Sequence, residues 1–182
     1  MNTNLKYLLF GIMVLAQISI PSYLILSRES ILRDGESIMF RTKPVDPYDA
    51  FRGRYLWLGF EEDSVSASAA DHWEHGQMAY VILQKDNAGF AKAVSLTRKR
   101  PNQGIYLKVL VRSGIYQGKV GIEYSFGQYF LSEKKAPKAE SLYRRHTSSE
   151  KREAYVIVRV KDGLAALENL FIAGKPISDF FR

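Results

Sequence analysis

Residues 1–30 and residues 31–182 follow different rules of polarity. No residue from Tyr7 to Ser27 is charged. As a helix rising about 1.5 Å per residue, the run YLLFGIMVLAQISIPSYLILS reaches the roughly 30 Å of a bilayer's hydrocarbon core. Gln17, Ser19 and Pro21 interrupt the run. A bilayer helix tolerates a few polar groups and one proline when Leu, Ile, Met, Val and Phe fill the rest. A cleaved signal peptide is the competing reading, since Lys6 precedes the apolar run and Val14-Leu15-Ala16 has the small-x-small form of a cleavage site. The apolar character persists well past Ala16, further than a secretory segment needs, so a retained helix is the expectation. Lys6 and the terminal amine nearly balance Arg28, Glu29 and Arg33 across the segment. A short tail followed by a large domain is the layout of a signal anchor, which places the domain outside the cytoplasm. The expected organisation is a transmembrane signal-anchor helix with its flanks over 1–30 and one soluble domain over 31–182.

Beyond the helix the apolar residues recur in short runs punctuated by Gly, Asn and Asp, which is the pattern of strands and tight turns. Strands are predicted at Ser37–Thr42, Arg54–Glu61, Gln77–Lys85, Phe90–Thr97, Ile105–Arg112, Lys119–Tyr124, Ala154–Lys161 and Leu164–Ile172. In the second of these, Tyr55 and Trp57 face opposite to Leu56, Leu58 and Phe60, so both faces are expected to be covered. QKDNAGF predicts a tight connection between antiparallel neighbours. VKDGLA predicts a hairpin in which Asp162-Gly163 supplies the positive φ angles of a type I′ turn. Polar, Ala/Glu/Lys-rich Ser132–Arg152 predicts a short helix and an exposed loop. The fold class is therefore mainly β: one antiparallel β domain, a barrel or strongly curved sheet, with one short helix.

The 46% hydrophobic and 25% charged residues are those of an ordinary globular chain, which excludes disordered and collagen-like classes. A formal charge of +7 is concentrated in Arg98-Lys99-Arg100, in Lys134, Lys135 and Lys138, and in Arg144, Arg145, Lys151 and Arg152. Such clusters are most often solvated faces, and anionic lipid headgroups beside the anchor are the partner they fit next. Zinc-finger spacing and RNP-type aromatics are absent, so no nucleic acid is expected. The chain has no cysteine, which removes disulfides, thiolate metal sites and cysteine nucleophiles.

The most distinctive string is KPVDPYDAFRGRYLWLGFE, Lys43 to Glu61. Its core, Gly53-Arg54-Tyr55-Leu56-Trp57-Leu58-Gly59-Phe60, resembles the motif after which the GDYXXLXY family of membrane-anchored bacterial proteins is named. Arg54 stands in place of the motif's Asp, and Phe60 in place of its last Tyr. VDPYDAFRG resembles the family's lead-in, and YFLSEKKAPKAE, Tyr129 to Glu140, its Tyr-Phe-x-x-Glu block. The closing VRVKDGLAALENLFIAGKPI is similar as well. The resemblance implies an anchor in the bacterial inner membrane and a periplasmic or otherwise extracytoplasmic domain. It also implies a multi-spanning membrane protein as partner, with no established reaction and no cofactor. Asp46, Asp49, Arg52, Gly53, Arg54, Tyr55, Tyr129 and Glu133 are the candidate partner- or ligand-binding residues. Asp46-Pro47 and Asp49 also suit Asx turns before a strand, a purely architectural role.

Catalytic constellations are thin. His72 and His75 in DHWEH would share a metal from one helical turn, but the string lacks the zincin pattern and a surface loop is the preferred reading. A membrane-tethered hydrolase resembling type I signal peptidases would need Ser37 as nucleophile with Lys85 or Lys92 as base, and the serine's flanking motif is missing. Glu133 and Glu140 lie among lysines, where helical ion pairs explain them. Aromatics crowd EYSFGQYFL, with core packing as their main role and a partner-facing patch as the lesser one. The leading expectation is a non-enzymatic, membrane-anchored accessory protein that binds a partner.

Overall fold

The computed structural model describes residues 3–44, 55–68, 71–132, 135–147 and 153–181. Helix α1, Thr3–Asp34, is long and apolar enough to cross a bilayer, a property that anchors and signal sequences share. None of its apolar stretch is buried against the other described residues. Pro21 lies inside the helix without breaking it, and the Ser22 hydroxyl donates to the Ile18 carbonyl at 2.8 Å. Serines and adjacent turns satisfy backbone groups in this way around a helical proline.

The helix does not stop where its apolar run stops. Ser27, Ser30, Ile31 and Asp34 fall on one face by their spacing, and Ile31 is buried. Lys161 Nζ donates to Ser30 Oγ at 2.7 Å and to Asp34 Oδ2 at 3.0 Å. Gly35 ends the helix, its N–H closing on the Ile31 carbonyl at 2.9 Å. A Cβ there would stand 2.3 Å from that carbonyl oxygen, so only glycine fits. Arg159 donates to the Gly35 carbonyl at 3.3 Å.

Strand β1, Glu36–Lys43, follows at once. The signature string forms β2, Tyr55–Trp57, and β3, Gly59–Phe60. Then come β4, Ser64–Ser66; β5, Met78–Lys85; β6, Ala91–Thr97; β7, Ile105–Tyr116; β8, Lys119–Tyr124; and β9, Gln128–Phe130. Helix α2, Ala136–Thr147, precedes β10, Ala154–Lys161, β11, Leu164–Ile172, and β12, Lys175–Pro176; a 3-10 turn, Ile177–Phe181, closes the chain.

One sheet has the order β12-β11-β10-β1-β3, a second β4-β8-β7-β5-β6, and β2 with β9 forms a separate ribbon. Every ladder is antiparallel. The second sheet curls until its edges approach, the Glu62 carboxylate before β4 accepting the Ala93 N–H of β6 at 2.7 Å. It is nearly a closed barrel. Strict alternation drives the inward face: Ala154, Val156, Val158 and Val160 of β10 and Ile38, Phe40 and Thr42 of β1 are buried, with half-buried residues between. Phe40, Phe60, Tyr124 and Phe126 pack at centroid distances of 5.1–5.7 Å and join the two sheets.

The expected strand Arg54–Glu61 is interrupted at Leu58, whose N–H turns to the Gly127 carbonyl at 2.9 Å, so β2 and β3 belong to different sheets. β7 runs past the expected end at Arg112. Register shifts around Ser113 carry the strand through Ser113-Gly114, and the turn comes at Gln117-Gly118. The Asp162-Gly163 turn has φ of 56° and 81°, as predicted.

Candidate functional site

The two segments singled out by the resemblance are hydrogen-bonded neighbours. β2 pairs with β9 in the register Tyr55↔Phe130, Leu56↔Tyr129, Trp57↔Gln128. Leu56 and Leu58 point into the core, Trp57 and Tyr129 are half-buried and Phe130 is exposed. Burial pushes the Tyr129 phenol above its ordinary pKa. α2 packs on the ribbon, its Tyr143 hydroxyl donating to the Lys43 carbonyl at 3.2 Å. Burial raises the Tyr143 pKa to about 12.

The strand ends bordering the signature's lead-in are firmly tied. Thr42 Oγ1 donates to the Ala154 carbonyl at 2.9 Å. Lys43 Nζ and Arg112 converge on the buried Asp63 carboxylate at 2.7 and 2.8 Å. Asp46, Asp49, Arg52, Gly53, Arg54 and Glu133 lie outside the described residues, and Tyr55 is described by its backbone alone. Of the predicted set, Tyr55 and Tyr129 lie on adjacent strands one register step apart, which puts Tyr129 on the face of Leu56 and Tyr55 on the face of Phe130.

The remaining candidates are dispersed. His72 and His75 are exposed on a loop and not on a helical turn. Arg98 reaches the His72 carbonyl and stacks 4.3 Å over the buried Trp73 ring, and His75 Nδ1 meets the Arg112 carbonyl at 2.8 Å. Trp73 thus pins the loop, and its neighbouring histidines splay outward. Among the described residues no group of three His, Asp or Glu could hold a metal. Lys85 Nζ is held by Glu36 at 2.7 Å, and no hydrogen bond joins Ser37 to Lys85 or Lys92 among the described residues.

A groove of about 600 Å³ that sequence reasoning missed opens where β1, β10 and the β11–β12 turn meet. Arg41, Phe90, Glu153, Tyr155 and Ala173 line it. Tyr155 stacks on Phe171 at 5.0 Å and takes the edge of Phe90 at 5.7 Å. Arg41 lies 3.8 Å over Phe90 and pairs with Asp86 at 3.1 Å. N–H bonds from Phe90 and Ala88, together with Arg41, hold the Asp86 carboxyl below the usual range.

The basic clusters separate in space. Arg100 donates to Tyr106 Oη at 2.8 Å and pairs with Asp162 at 3.0 Å, beside the turn that follows Lys161. Lys135 and Lys138 approach the Phe181 ring, and Arg144 and Arg145 are exposed on α2. α2 sits at the Lys43 end of β1, about 23 Å along the strand from Glu36 and the α1 clamp.

A family model described as GDYXXLXY protein matches residues 17–170. No curated protein and no solved structure matches the chain.

Proposed function

This chain belongs to the GDYXXLXY family, and on that premise we propose that it is a membrane-anchored accessory protein, not an enzyme, whose β domain lies outside the cytoplasm and binds a multi-spanning membrane protein. The observation that carries the reading is the β2–β9 ribbon. It stands apart from both large sheets and gathers the two family segments at the surface, with Phe130 exposed beside Tyr55 on the neighbouring strand. An exposed aromatic next to a stretch of sequence rich in charged residues favours recognition of another protein. The proposed binding residues are Asp46, Asp49, Arg52, Gly53, Arg54, Tyr55, Tyr129 and Glu133. α1 as a retained single-pass anchor of the bacterial inner membrane, with residues 31–182 as the periplasmic domain, completes the proposal.

A photo-crosslinking residue at position 130 tests it in native membranes. The expected result is one discrete adduct with a multi-spanning membrane protein, lost when Asp49→Ala and Arg52→Ala are combined in a chain that accumulates normally. No adduct, or an adduct indifferent to those substitutions, contradicts the proposal.

A further inference from the structure

The clamp between α1 and the sheet leaves no linker. Leu26, near the end of the apolar run, precedes the buried Ile31 by five residues, about 7.5 Å of helix. Each headgroup layer of a bilayer is roughly 5–8 Å deep. Whatever the helix tilt, the sheet surface that holds Ile31 therefore stands within or directly against the headgroups.

That surface includes the β10–β11 turn. Leu164, the first residue of β11 and the cross-strand partner of Lys161 beside the turn, is 49% exposed. The Gly163 carbonyl accepts the Lys108 N–H at 2.8 Å, which places Lys108, with its exposed side chain, beside the turn. Arg28 is also exposed, and neither Arg28 nor Lys108 has an ion pair among the described residues. Lys161 and Arg100 flank the turn, with Asp34 and Asp162 as their counter-ions. An exposed apolar side chain ringed by cations in excess of anions is the pattern that a negatively charged lipid surface attracts.

We propose that the β10–β11 turn is a second, peripheral membrane contact: Leu164 reaches the interface while Lys108, Arg100 and Arg28 engage the phosphates of anionic phospholipids. The contact would fix the domain's orientation on the bilayer, and it rests on the reading of α1 as a retained anchor. It also distinguishes the basic clusters: the cations of α2, at the far end of β1, are left for other partners.

The absence of cysteine makes single-cysteine probes unambiguous. Full-length L164C and S141C, the latter on the exposed face of α2, are labelled with a fluorophore. They are reconstituted in phosphatidylcholine alone or mixed roughly 7:3 with phosphatidylglycerol, with a headgroup-nitroxide lipid as quencher. The expected result is quenching about twofold or more stronger at 164 than at 141 in the anionic mixture, with K108E reducing the signal at 164 by about half there and leaving pure phosphatidylcholine unchanged. Equal quenching at the two positions in a chain that resists carbonate extraction overturns the inference and leaves the anchor standing. Quenching at 164 that is the same in both lipids overturns the assignment to anionic headgroups. Release of the chain by carbonate overturns the anchor reading and the inference with it.

Discussion

Gly163 carries two constraints at once: a φ of +81° and a site where a Cβ would lie 2.8 Å from the Tyr106 ring. Gly163→Ala is expected to cost about 2 kcal/mol, the sum of left-handed backbone strain and a displaced aromatic. Ala173 sits at φ +50° in the β11–β12 turn. Ala173→Gly is expected to raise stability by about 0.5 kcal/mol by relieving that strain. Thermal unfolding of the two variants checks both signs, and a neutral Gly163→Ala contradicts the packing described. Asp162-Gly163 was legible because its residue types favour the turn they make. Ala173 was not, because an alanine gives no sign that its neighbours hold it left-handed. His72 and His75 lie on a surface loop, as expected despite their helical spacing, and the burial of Trp73 between them decides it.

Among the elements, the junction of α1 with β10 and β11 governs how the helix transmits its position. Hydrogen bonds from Arg33 and then Lys161 hold the Asp34 carboxyl well below the ordinary carboxylate range. A depressed folded pKa stabilises fully above the unfolded value near 4 and is lost only as the pH falls below it. Protection factors over residues 28–35, exchange corrected for the intrinsic amide rate at each pH, are therefore expected to stay constant from pH 7 to about 4 and to fall below that. In Asp34→Asn protection should be low at every pH; loosening already at pH 6 contradicts the assignment. Six of the eight predicted strands kept their ends to within a residue because alternation sets them. β4, β9 and β12 escaped because runs of two or three residues carry no period. The last turns of α1 read as a charged flank, since their docking face is small and polar and its partner lies about 130 residues away in sequence, at Lys161.

Across the whole molecule, α2 and the aromatic cluster contribute to one core, and each buries a tyrosine. Burial raises Tyr143 to about 12, and burial with the nearby Glu62 and Asp63 raises Tyr124 further. A raised folded pKa stabilises fully below the unfolded value near 10 and is lost as pH climbs past it. Stability is expected to fall by on the order of 2 kcal/mol between pH 10 and about 12 from Tyr143 alone. In a spectrophotometric titration, at least two of the eleven tyrosines should ionise only on unfolding; free ionisation of all near pH 10 contradicts the packing.

The proposed function depends first on α1 being retained as an anchor that holds the β domain outside the cytoplasm. S141C in this cysteine-free chain decides it with a membrane-impermeant thiol reagent applied to intact spheroplasts. The prediction is full labelling before lysis of a protein that stays in the carbonate-washed membrane pellet. Labelling only after lysis, or a labelled protein in the soluble fraction, would contradict it.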